Sequence, residues 1–336
     1  MSLIRWLKIS ESFAERGYDV DVIVNAKSGL PATRNLRFLS YNEVDWSRYD
    51  VVKTLFHEGF DSLCSSGGDR HSFIISKLGS VVGHSDQTEG VHFFNEEREG
   101  LFETQKKINE RSRYITILTQ QSRQLWEREH RRTSNLLFVP TGVDRTIPPP
   151  RENPYGAFSD KIAVYIGNLY IDTQKEVNLL WQTRLNSVGR LLRAKGIRLF
   201  LVGHGNTSQL DADAVTHLGP VDYRRIWDYQ YFADVGIVLA QGHVQHNESS
   251  KIYYYLRTGL PVVSEAPVPN NHIIQEAKLG FIPEYADDRM MADMVEDAIF
   301  HKWDREGAVN YMLEHHTWDR RIDVYDRLIK GELGMD

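Results

Sequence analysis

At 336 residues, the chain is long enough for two domains of ordinary size, each with its own core. Its 41% hydrophobic and 26% charged residues are typical of a soluble globular protein, and a net charge of -6 excludes a global basic field for nucleic acid. The single cysteine, Cys64, excludes an intrachain disulfide and a cysteine-rich metal site. No apolar run approaches the ~20 residues that span a bilayer, and we expect no signal peptide, so the composition predicts a cytoplasmic protein.

Helix and strand patterns alternate through the first half of the chain, as is typical of α/β architecture with parallel sheets. Helices are predicted at 4–16 and 105–111, and strands at 19–24, 50–55, 80–83, 113–119 and 136–140. A doubly wound domain normally begins with a strand and a glycine-rich turn, whereas here a helix comes first. We expect either that a preceding strand lies outside this sequence or that the domain starts unusually late.

A composition break follows at the three prolines 148–150. Consecutive prolines form a semi-rigid spacer, so we predict an interdomain linker at 146–160. A second series of strands is predicted after it, at 162–166, 198–202, 215–218, 235–239 and 260–263. Two α/β series joined by a stiff linker predict two facing Rossmann-like domains, with ligands at the carboxyl ends of the strands.

Residues 247–265 carry the most informative local pattern. Ser249 or Ser250 is suited to cap a helix, and Gly259 is suited to end it. Lys251 then lies in the first helical turn, where a cation opposes the helix macrodipole by about 0.3–1 kcal/mol. This placement favours an anion bound by the helix N–H groups and the ammonium together. The alternative is a solvated lysine on an exposed turn.

Several segments of the chain have the order and the spacing that a known group of enzymes shares. In the second half they are Ile162-Ala-Val-Tyr-Ile-Gly-Asn168, Arg198-Leu-Phe-Leu-Val-Gly-His-Gly205, Leu218-Gly-Pro-Val221, 232–239, and Ser250-Lys-Ile with 259–263. The first half adds 114–119 and 137–144, and Trp318-Asp-Arg-Arg321 stands near the end. Together these segments resemble the GT-B glycosyltransferases, particularly the family-4-like group, also called glycosyl transferases group 1.

The resemblance implies an α/β fold of the GT-B type, with two facing Rossmann-like domains and a C-terminal helix crossing back to the first. The first domain, on the acceptor side, is placed at 1–147 without its first strand, plus a crossing helix at 317–333. The second, at 156–316, is expected to hold a nucleotide diphosphate sugar as co-substrate. The family usually works without a bound metal, and we expect no bound cofactor.

The same resemblance assigns donor-binding roles residue by residue. Gly167 is expected to let the backbone approach the donor, and Lys175 is the nearest match to a basic residue used against the diphosphate. Where the family often has arginine after that glycine, this chain has Asn168, which places more weight on Lys251. Val221, with Gly219 and Pro220, lies where the base-binding loop is expected.

The chain departs from the family at its paired glutamates. Aligned on Gly259, the two glutamate positions hold His246 and Tyr254, and Glu248 lies close to the first. The chain is therefore interpreted as a divergent member, and retaining or inverting chemistry stays open. Glu248 and Tyr254 are expected to approach the ribose or sugar.

Other residues are expected to line the donor pocket. His246, with His243, is predicted to line the sugar pocket, and Gly203 to form a tight turn at a strand end rather than part of a dinucleotide fingerprint. A metal site is not predicted, because no Asp or Cys stands at fixed spacing from these histidines. Tyr255 is predicted to be core, with Tyr253 and Tyr254 partly exposed.

Glycosyl transfer develops negative charge on the leaving diphosphate, which Lys251, Ser249, Ser250 and the helix N–H groups are suited to stabilise. Inversion would also need a general base for the acceptor proton. His57, His84 and Asp86 are the candidates, since each follows a predicted strand. The alternative is chance placement, because the chain has 13 histidines.

The sequence therefore predicts a glycosyltransferase that moves a sugar from a UDP- or GDP-linked donor to a glycan or lipid-linked acceptor. One alternative is a nucleotide-sugar 2-epimerase on the same fold, and another is a non-catalytic nucleotide-sugar binding protein. The basic residues Arg123, Arg128, Arg131 and Arg132 are interpreted as a solvated face. Their alternative is contact with anionic lipid headgroups at the inner face of a membrane.

Overall fold

The computed structural model describes residues 2–24, 32–79, 81–83, 95–156, 160–169, 175–240 and 247–335, with the side chains of 2–4, 95–99 and 175–177 outside the description. The described chain divides into two compact units. The first comprises the described residues of 2–142 together with 317–335, and the second comprises 143–316. Both units are α/β structures whose paired strands run parallel.

The first unit follows the predicted alternation of helices and strands. Its elements in chain order are α1 (Ser2–Glu15), β1 (Val20–Val24), β2 (Leu36–Ser40), β3 (Val52–Leu55), α2 (Phe56–Ser65), β4 (Ile74–Lys77), α3 (Asn95–Arg111), β5 (Tyr114–Ile117), α4 (Gln120–His130) and β6 (Leu136–Phe138). In the described part of the unit, β1 pairs with β2, and a separate sheet has the order β3-β4-β5-β6.

The second unit contains one sheet with helices packed against it. Its elements are β7 (Lys161–Ile166), α5 (Lys175–Ala194), β8 (Ile197–Val202), β9 (Val215–His217), α6 (Ile226–Tyr231), β10 (Val235–Val238), α7 (Ser250–Arg257), β11 (Val262–Ser264), α8 (His272–Ala277), β12 (Gly280–Phe281), α9 (Asp288–Phe300) and α10 (Arg305–His315). The order of the sheet is β12-β11-β10-β7-β8-β9. The last helix, α11 (Trp318–Leu333), belongs to the first unit.

Apolar runs form the central strands of the second unit because a parallel sheet covered by helices is buried on both faces. Strand β7 reads Lys-Ile-Ala-Val-Tyr-Ile, and all its residues after Lys161 are buried. The residues of β10 and β11 are buried throughout. The carboxyl ends of these parallel strands therefore meet at one edge of the sheet, directly before Gly167, Gly203 and Glu265.

One predicted strand of the first unit is wrong. Residues 81–83 do not form a strand, and the strand next to β3 is β4, at Ile74–Lys77. The pattern misled because β4 ends in two polar residues that are nevertheless buried. Ser76 is hydrogen-bonded to Thr54, and the Nζ atom of Lys77 donates to the carbonyl of Val139 at 3.0 Å. Buried polar groups with such partners do not interrupt a strand.

A buried ion-pair network joins the helical layer of the second unit to its sheet. Glu265, directly after β11, has 0% of its surface exposed. Its carboxylate accepts hydrogen bonds from the N–H of Ala240 at 2.8 Å and the N–H of Ala286 at 2.9 Å. It also accepts one from Arg184 of α5, which contacts Asp288 of α9 as well. One carboxylate thus connects two strand ends with two helices.

Candidate functional site

Two glycines bring the ends of β7 and β8 into close contact. A Cβ atom added at Gly203 would lie 2.2 Å from the carbonyl oxygen of Gly167, which no side chain could accommodate. The N–H of Gly203 in turn donates to the carbonyl of Gly219 at 2.9 Å. Gly167, Gly203 and the turn beginning at Gly219 are three separate predictions from the sequence. The structure places all three at the carboxyl edge of one sheet.

Lys251, in the first turn of α7, lies directly over Gly167. A Cβ atom at Gly167 would be 2.6 Å from the Cε atom of Lys251 and 2.9 Å from its Nζ atom. The ammonium also lies 4.6 Å from the ring centroid of Tyr165, a cation–π distance. A side chain at position 167 would displace the end of the lysine from this position, so these two predicted residues form one structural feature.

Tyr255, one helical turn after Lys251, fixes the position of α7 over β7. The hydroxyl of Tyr255 accepts a hydrogen bond from the N–H of Ile166 at 2.8 Å and donates to the carbonyl of Val164 at 3.3 Å. Gly236 of β10 provides space for the ring, because a Cβ atom there would lie 2.4 Å from it. Tyr255 thereby holds α7 against the end of β7.

Asn270 holds the residue before α7 by its main chain. The side-chain oxygen of Asn270 accepts from the N–H of Ser249 at 2.8 Å, and its amide donates to the carbonyl of Ser249 at 3.0 Å. Both residues are buried, with 3% and 4% of their surfaces exposed. The Oγ atom of Ser249 has no hydrogen-bond partner among the described residues and does not cap the helix.

Together these features make the amino end of α7 suitable for an anion. The first N–H groups of any α-helix lack partners within the helix, and the helix dipole is positive at this end. Burial lowers the pKa of Lys251 to about 8, so its charged form lacks full hydration in the unliganded protein. Among the described residues, no carboxylate lies within ion-pair distance of its ammonium. An anion at this point would supply the counter-charge.

Asn168, Glu248 and Val221 lie near this edge in different settings. Asn168 is exposed, and its side-chain oxygen accepts from the N–H of His204 at 3.1 Å, which links the turns after β7 and β8. Glu248 accepts a hydrogen bond from the hydroxyl of Tyr253 at 3.1 Å. Val221 is partly buried and packs against the core of the second unit. Their donor-binding roles stay predictions.

The three tyrosines of α7 are all buried. Tyr254, at the position of the family's second glutamate, is 6% exposed and packs edge-to-face on Trp227, with ring centroids 5.7 Å apart. Tyr253 and Tyr255 are each 1% exposed. The prediction that Tyr253 and Tyr254 are partly exposed is wrong, because a helix between a sheet and neighbouring helices buries most of its circumference. The role of Tyr254 toward the donor stays a prediction.

The candidate general bases are described only in part. His57 is the second residue of α2, directly after β3, and its side chain is 37% exposed. Its Nε2 atom lies 3.4 Å from a carboxylate oxygen of Glu58. His84, Asp86, His243 and His246 lie outside the described residues, as does the side chain of Lys175, with which α5 begins. For these five, the predicted roles stay predictions.

The basic residues around the end of α4 have local partners. Arg123 forms an ion pair with Glu127 at 2.7 Å, and Arg128 forms one with Glu129 at 3.1 Å. Arg132 donates to four main-chain carbonyls, including those of Asn109 and Ser112, both at 2.9 Å. These pairs fit the interpretation as a solvated face.

Neither a membrane-spanning helix nor a metal-binding cluster is present among the described residues. In this part of the chain, no helix is both long enough and apolar enough to cross a bilayer. The same residues contain no cluster of three or more His, Cys, Asp or Glu side chains arranged to bind a metal ion.

Two contributors to the site, Tyr165 and Asn270, were not predicted from the sequence. Tyr165 reads as one more apolar residue of a buried strand, and only the structure shows its ring beneath the ammonium of Lys251. Asn270 lies 21 residues after Ser249 in the loop that precedes α8. The paired asparagines 270 and 271 after two prolines were the available signal, but they predict a turn rather than a distant contact.

No known family profile matches the sequence, and no curated protein matches it. Solved structures do match. Sucrose-phosphate synthase from Thermosynechococcus elongatus has a TM-score of 0.72 and 13% identity, over 98% of this chain and 93% of its own. WaaG, a glycosyltransferase involved in lipopolysaccharide biosynthesis, has a TM-score of 0.70 and 14% identity, over 98% and 96%. HepE from Anabaena, in complex with UDP and glucose, has a TM-score of 0.71 and 11% identity, over 97% and 95%.

These similarities cover nearly the whole length of each chain and define the class of structure. The protein has the α/β fold of the GT-B glycosyltransferases, as the sequence predicted.

The two hydrogen bonds by which Asn270 holds the main chain of Ser249, here called the Ser249 clamp, can be tested directly. Replacing Asn270 by alanine removes two buried hydrogen bonds that hold the amino end of α7. We expect affinity for a nucleoside diphosphate to fall about tenfold, since loosening the N–H groups costs on the order of 1–2 kcal/mol. Isothermal titration with UDP and GDP would measure the change. The Asn270→Asp variant keeps the acceptor for the Ser249 N–H and should lose less, whereas equal affinity in all three proteins would contradict the clamp.

Proposed function

We propose that the protein is a glycosyltransferase that transfers a sugar from a nucleotide diphosphate donor to a glycan or lipid-linked acceptor. The observation that carries this proposal is the ammonium of Lys251 against Gly167 at the amino end of α7. In doubly wound sheets, ligands bind at the carboxyl ends of the strands, where this contact lies. The donor, linked to UDP or GDP, acts as co-substrate, and no resident cofactor is proposed.

The diphosphate would lie over the amino end of α7. Lys251, the N–H groups at the amino end of the helix and the hydroxyls of Ser249 and Ser250 would stabilise the charge that develops as the glycosidic bond breaks. Gly167 and Gly203 would admit the donor close to the backbone. The diphosphate oxygen that was bonded to the sugar gains negative charge as the bond breaks. A cation that is already in place stabilises this charge without reorganising at the moment of reaction, and so lowers the barrier.

The remaining predicted residues complete the proposal. Asn168, Lys175, Val221, His246, Glu248 and Tyr254 would contact other parts of the donor, and His57, His84 and Asp86 are the candidates for a general base if the reaction inverts. Support for transfer rather than 2-epimerisation comes from the similar structures, which include a synthase and a glycosyltransferase as well as HepE bound to UDP and glucose. We place the reaction in the cytoplasm, with the acceptor reached at the inner membrane face if it is lipid-linked.

A thermal-shift screen with UDP, GDP, ADP and CMP tests the donor site. A ligand at 100 times its Kd stabilises the folded state by about 2.7 kcal/mol, which raises the Tm by several degrees. We expect such a shift with UDP or GDP and none with CMP, which lacks a diphosphate. The absence of a shift with every nucleotide would contradict the proposal.

The matching nucleotide sugars would then separate the candidate reactions. A transferase releases nucleoside diphosphate faster when an acceptor is added. A 2-epimerase interconverts donors with no acceptor present, and a non-catalytic binding protein does neither.

A further inference from the structure

Lys53 of β3 is a cation in the first unit that the proposed donor site does not use. Its side chain is partly exposed, and its ammonium lies 5.1 Å from the ring centroid of Tyr325, a cation–π distance. Tyr325 is fully buried, and its hydroxyl donates to the Oγ1 atom of Thr116 at 3.3 Å. Among the described residues, no carboxylate lies within ion-pair distance of the Lys53 ammonium. The lysine is therefore held on an aromatic face without a counter-charge.

A second cation, Arg5 of α1, lies close enough for its charge to act on Lys53. Burial, and after it the positive charge of Arg5, lowers the pKa of Lys53 to about 7. The hydroxyl of Thr141 accepts a hydrogen bond from the Arg5 guanidinium and so positions it. Two like charges in a partly buried place repel each other and lack full hydration, and an anion between them would relieve both costs.

The other two basic residues on this side of the sheet differ from Lys53, because main-chain carbonyls hold them. The Nζ atom of Lys77 donates to the carbonyl of Val139 at 3.0 Å, and the Nε atom of Arg321 donates to the carbonyl of Thr141 at 3.0 Å. These bonds join β4 and α11 to the segment that follows β6. A structural role therefore accounts for Lys77 and Arg321, and no such bond accounts for Lys53.

These groups lie toward the carboxyl edge of the sheet in the first unit. Lys53 comes two residues before the end of β3, Thr116 one residue before the end of β5, and Thr141 three residues after β6. The strands of this sheet run parallel, and ligands bind at the carboxyl ends of such strands. The second unit has the same combination at its own carboxyl edge, where the Lys251 ammonium lies 4.6 Å from the Tyr165 ring.

We propose that Lys53 and Arg5 form a second anion site, within the first unit, that binds the phosphate group of a phosphate ester. The guanidinium of Arg5 is suited to a bidentate contact with two phosphate oxygens, and the ammonium of Lys53 to a third. A phosphate monoester carries close to two negative charges and so matches two cations, whereas a carboxylate carries one. Tyr325 and Thr141 position the cations rather than contact the ligand.

The identity of the ester rests on the proposed function. The diphosphate of the donor is assigned to Lys251 in the second unit, so the ester at Lys53 is the acceptor. The acceptor is then a phosphorylated glycan or a lipid phosphate rather than a neutral sugar. The anion site itself does not depend on transferase activity, and its test uses no nucleotide.

The experiment measures phosphate binding in the full chain with the donor site disabled by Lys251→Ala. Isothermal titration with inorganic phosphate and with glycerol 3-phosphate gives the two affinities. In this background we expect both ligands to bind, and Lys53→Met to weaken both at least tenfold, since it removes a charge-assisted contact. Arg5→Gln should weaken them as well. Lys53→Met should not lower the Tm, because burial already disfavours the charged side chain.

Lys106→Met is the matched control, in the same unit. The ammonium of Lys106 lies 5.1 Å from the Phe102 ring, as that of Lys53 does from Tyr325, but it forms an ion pair with Glu103 at 2.6 Å. Because this lysine already has a counter-charge, its replacement should leave both affinities unchanged. Equal affinities in the Lys53→Met and Lys106→Met proteins would overturn the site.

The remaining outcomes separate this site from the proposed function. Absence of binding by either phosphate in the Lys251→Ala protein would overturn the site, even if the unsubstituted protein binds UDP or GDP. Binding of glycerol 3-phosphate that depends on Lys53, in a protein that binds no nucleotide, would support the site and contradict the transferase proposal. Binding of inorganic phosphate alone would overturn the assignment to a phosphate ester, and the ligand would then be a free anion.

Discussion

Replacing Lys251 by alanine is expected to lower turnover by roughly 10²–10³-fold, the usual loss when one charge-stabilising donor is removed from an active site. Affinity for the nucleoside diphosphate should fall about 10–100-fold, because a hydrogen bond to a charged group contributes about 1.5–3 kcal/mol. Both effects follow from the position of the ammonium over Gly167, at the uncapped amino end of α7. Calorimetry and the rate of nucleoside diphosphate release would measure them.

The fold should survive this change. Burial lowers the pKa of Lys251, so the charged side chain is disfavoured in the unliganded protein, and its removal should not lower the Tm. Lys161→Ala is the matched control, since Lys161 is an exposed lysine of β7 paired with Asp234 at 3.0 Å. Turnover and affinity should be unchanged in that variant. If Lys251→Ala turns over substrate at a rate close to that of the unsubstituted protein, the proposed site is wrong.

The same residue gives the site a pH dependence of known sign. The pKa of Lys251 is lowered to about 8, so in the free protein the ammonium is present below that pH and is lost as pH rises through it. A bound anion favours the charged form, so binding takes up a proton above pH ~8, and affinity falls toward tenfold per pH unit. Lys251→Arg stays charged over this pH range, so its affinity should change less with pH, although a planar guanidinium differs in shape from an ammonium. An identical decline in both proteins would assign the titration to another group.

The second large effect concerns stability. Replacing Arg184 by alanine leaves the fully buried carboxylate of Glu265 without its cationic partner, and also removes a partner of Asp288. Breaking a buried ion pair at one side costs about 3–5 kcal/mol. We expect a loss of this size in the free energy of unfolding of the second unit, measured by urea denaturation. Arg190→Ala is the control on the same helix, because Arg190 is 62% exposed in its pair with Asp211 and should change stability by less than about 1 kcal/mol.

A double substitution separates the lost attraction from the stranded charge. Glu265→Gln, introduced into Arg184→Ala, removes the unpaired charge while keeping one acceptor for the strand-end amides. We expect it to recover part of the lost stability, since most of the cost of Arg184→Ala is the buried charge left behind. Equal losses in Arg184→Ala and Arg190→Ala would show that the network does not hold the sheet to its helices.

The local sequence pattern was sufficient to predict much of the fold. The apolar run at the start of the second unit predicted β7, and Lys251 after two serines predicted a helix that begins in a position suited to an anion. It failed at β4, where Ser76 and Lys77 looked like the end of an apolar run although both are buried. Their partners, Thr54 and Val139, lie on other strands, so no reading of the segment itself could show that they are satisfied.

The sequence by itself determined strands β7 to β11 of the second unit, the glycines at the strand ends and the charge at the start of α7, because these depend on residues near one another in the chain. Only the tertiary structure decided that Gly167 lies beneath Lys251, that Asn270 holds Ser249, and that Tyr254 is buried against Trp227. Each of these depends on how strands are ordered and helices are seated on the sheet. Such contacts join residues up to 84 positions apart, between Gly167 and Lys251, where local propensity carries no information.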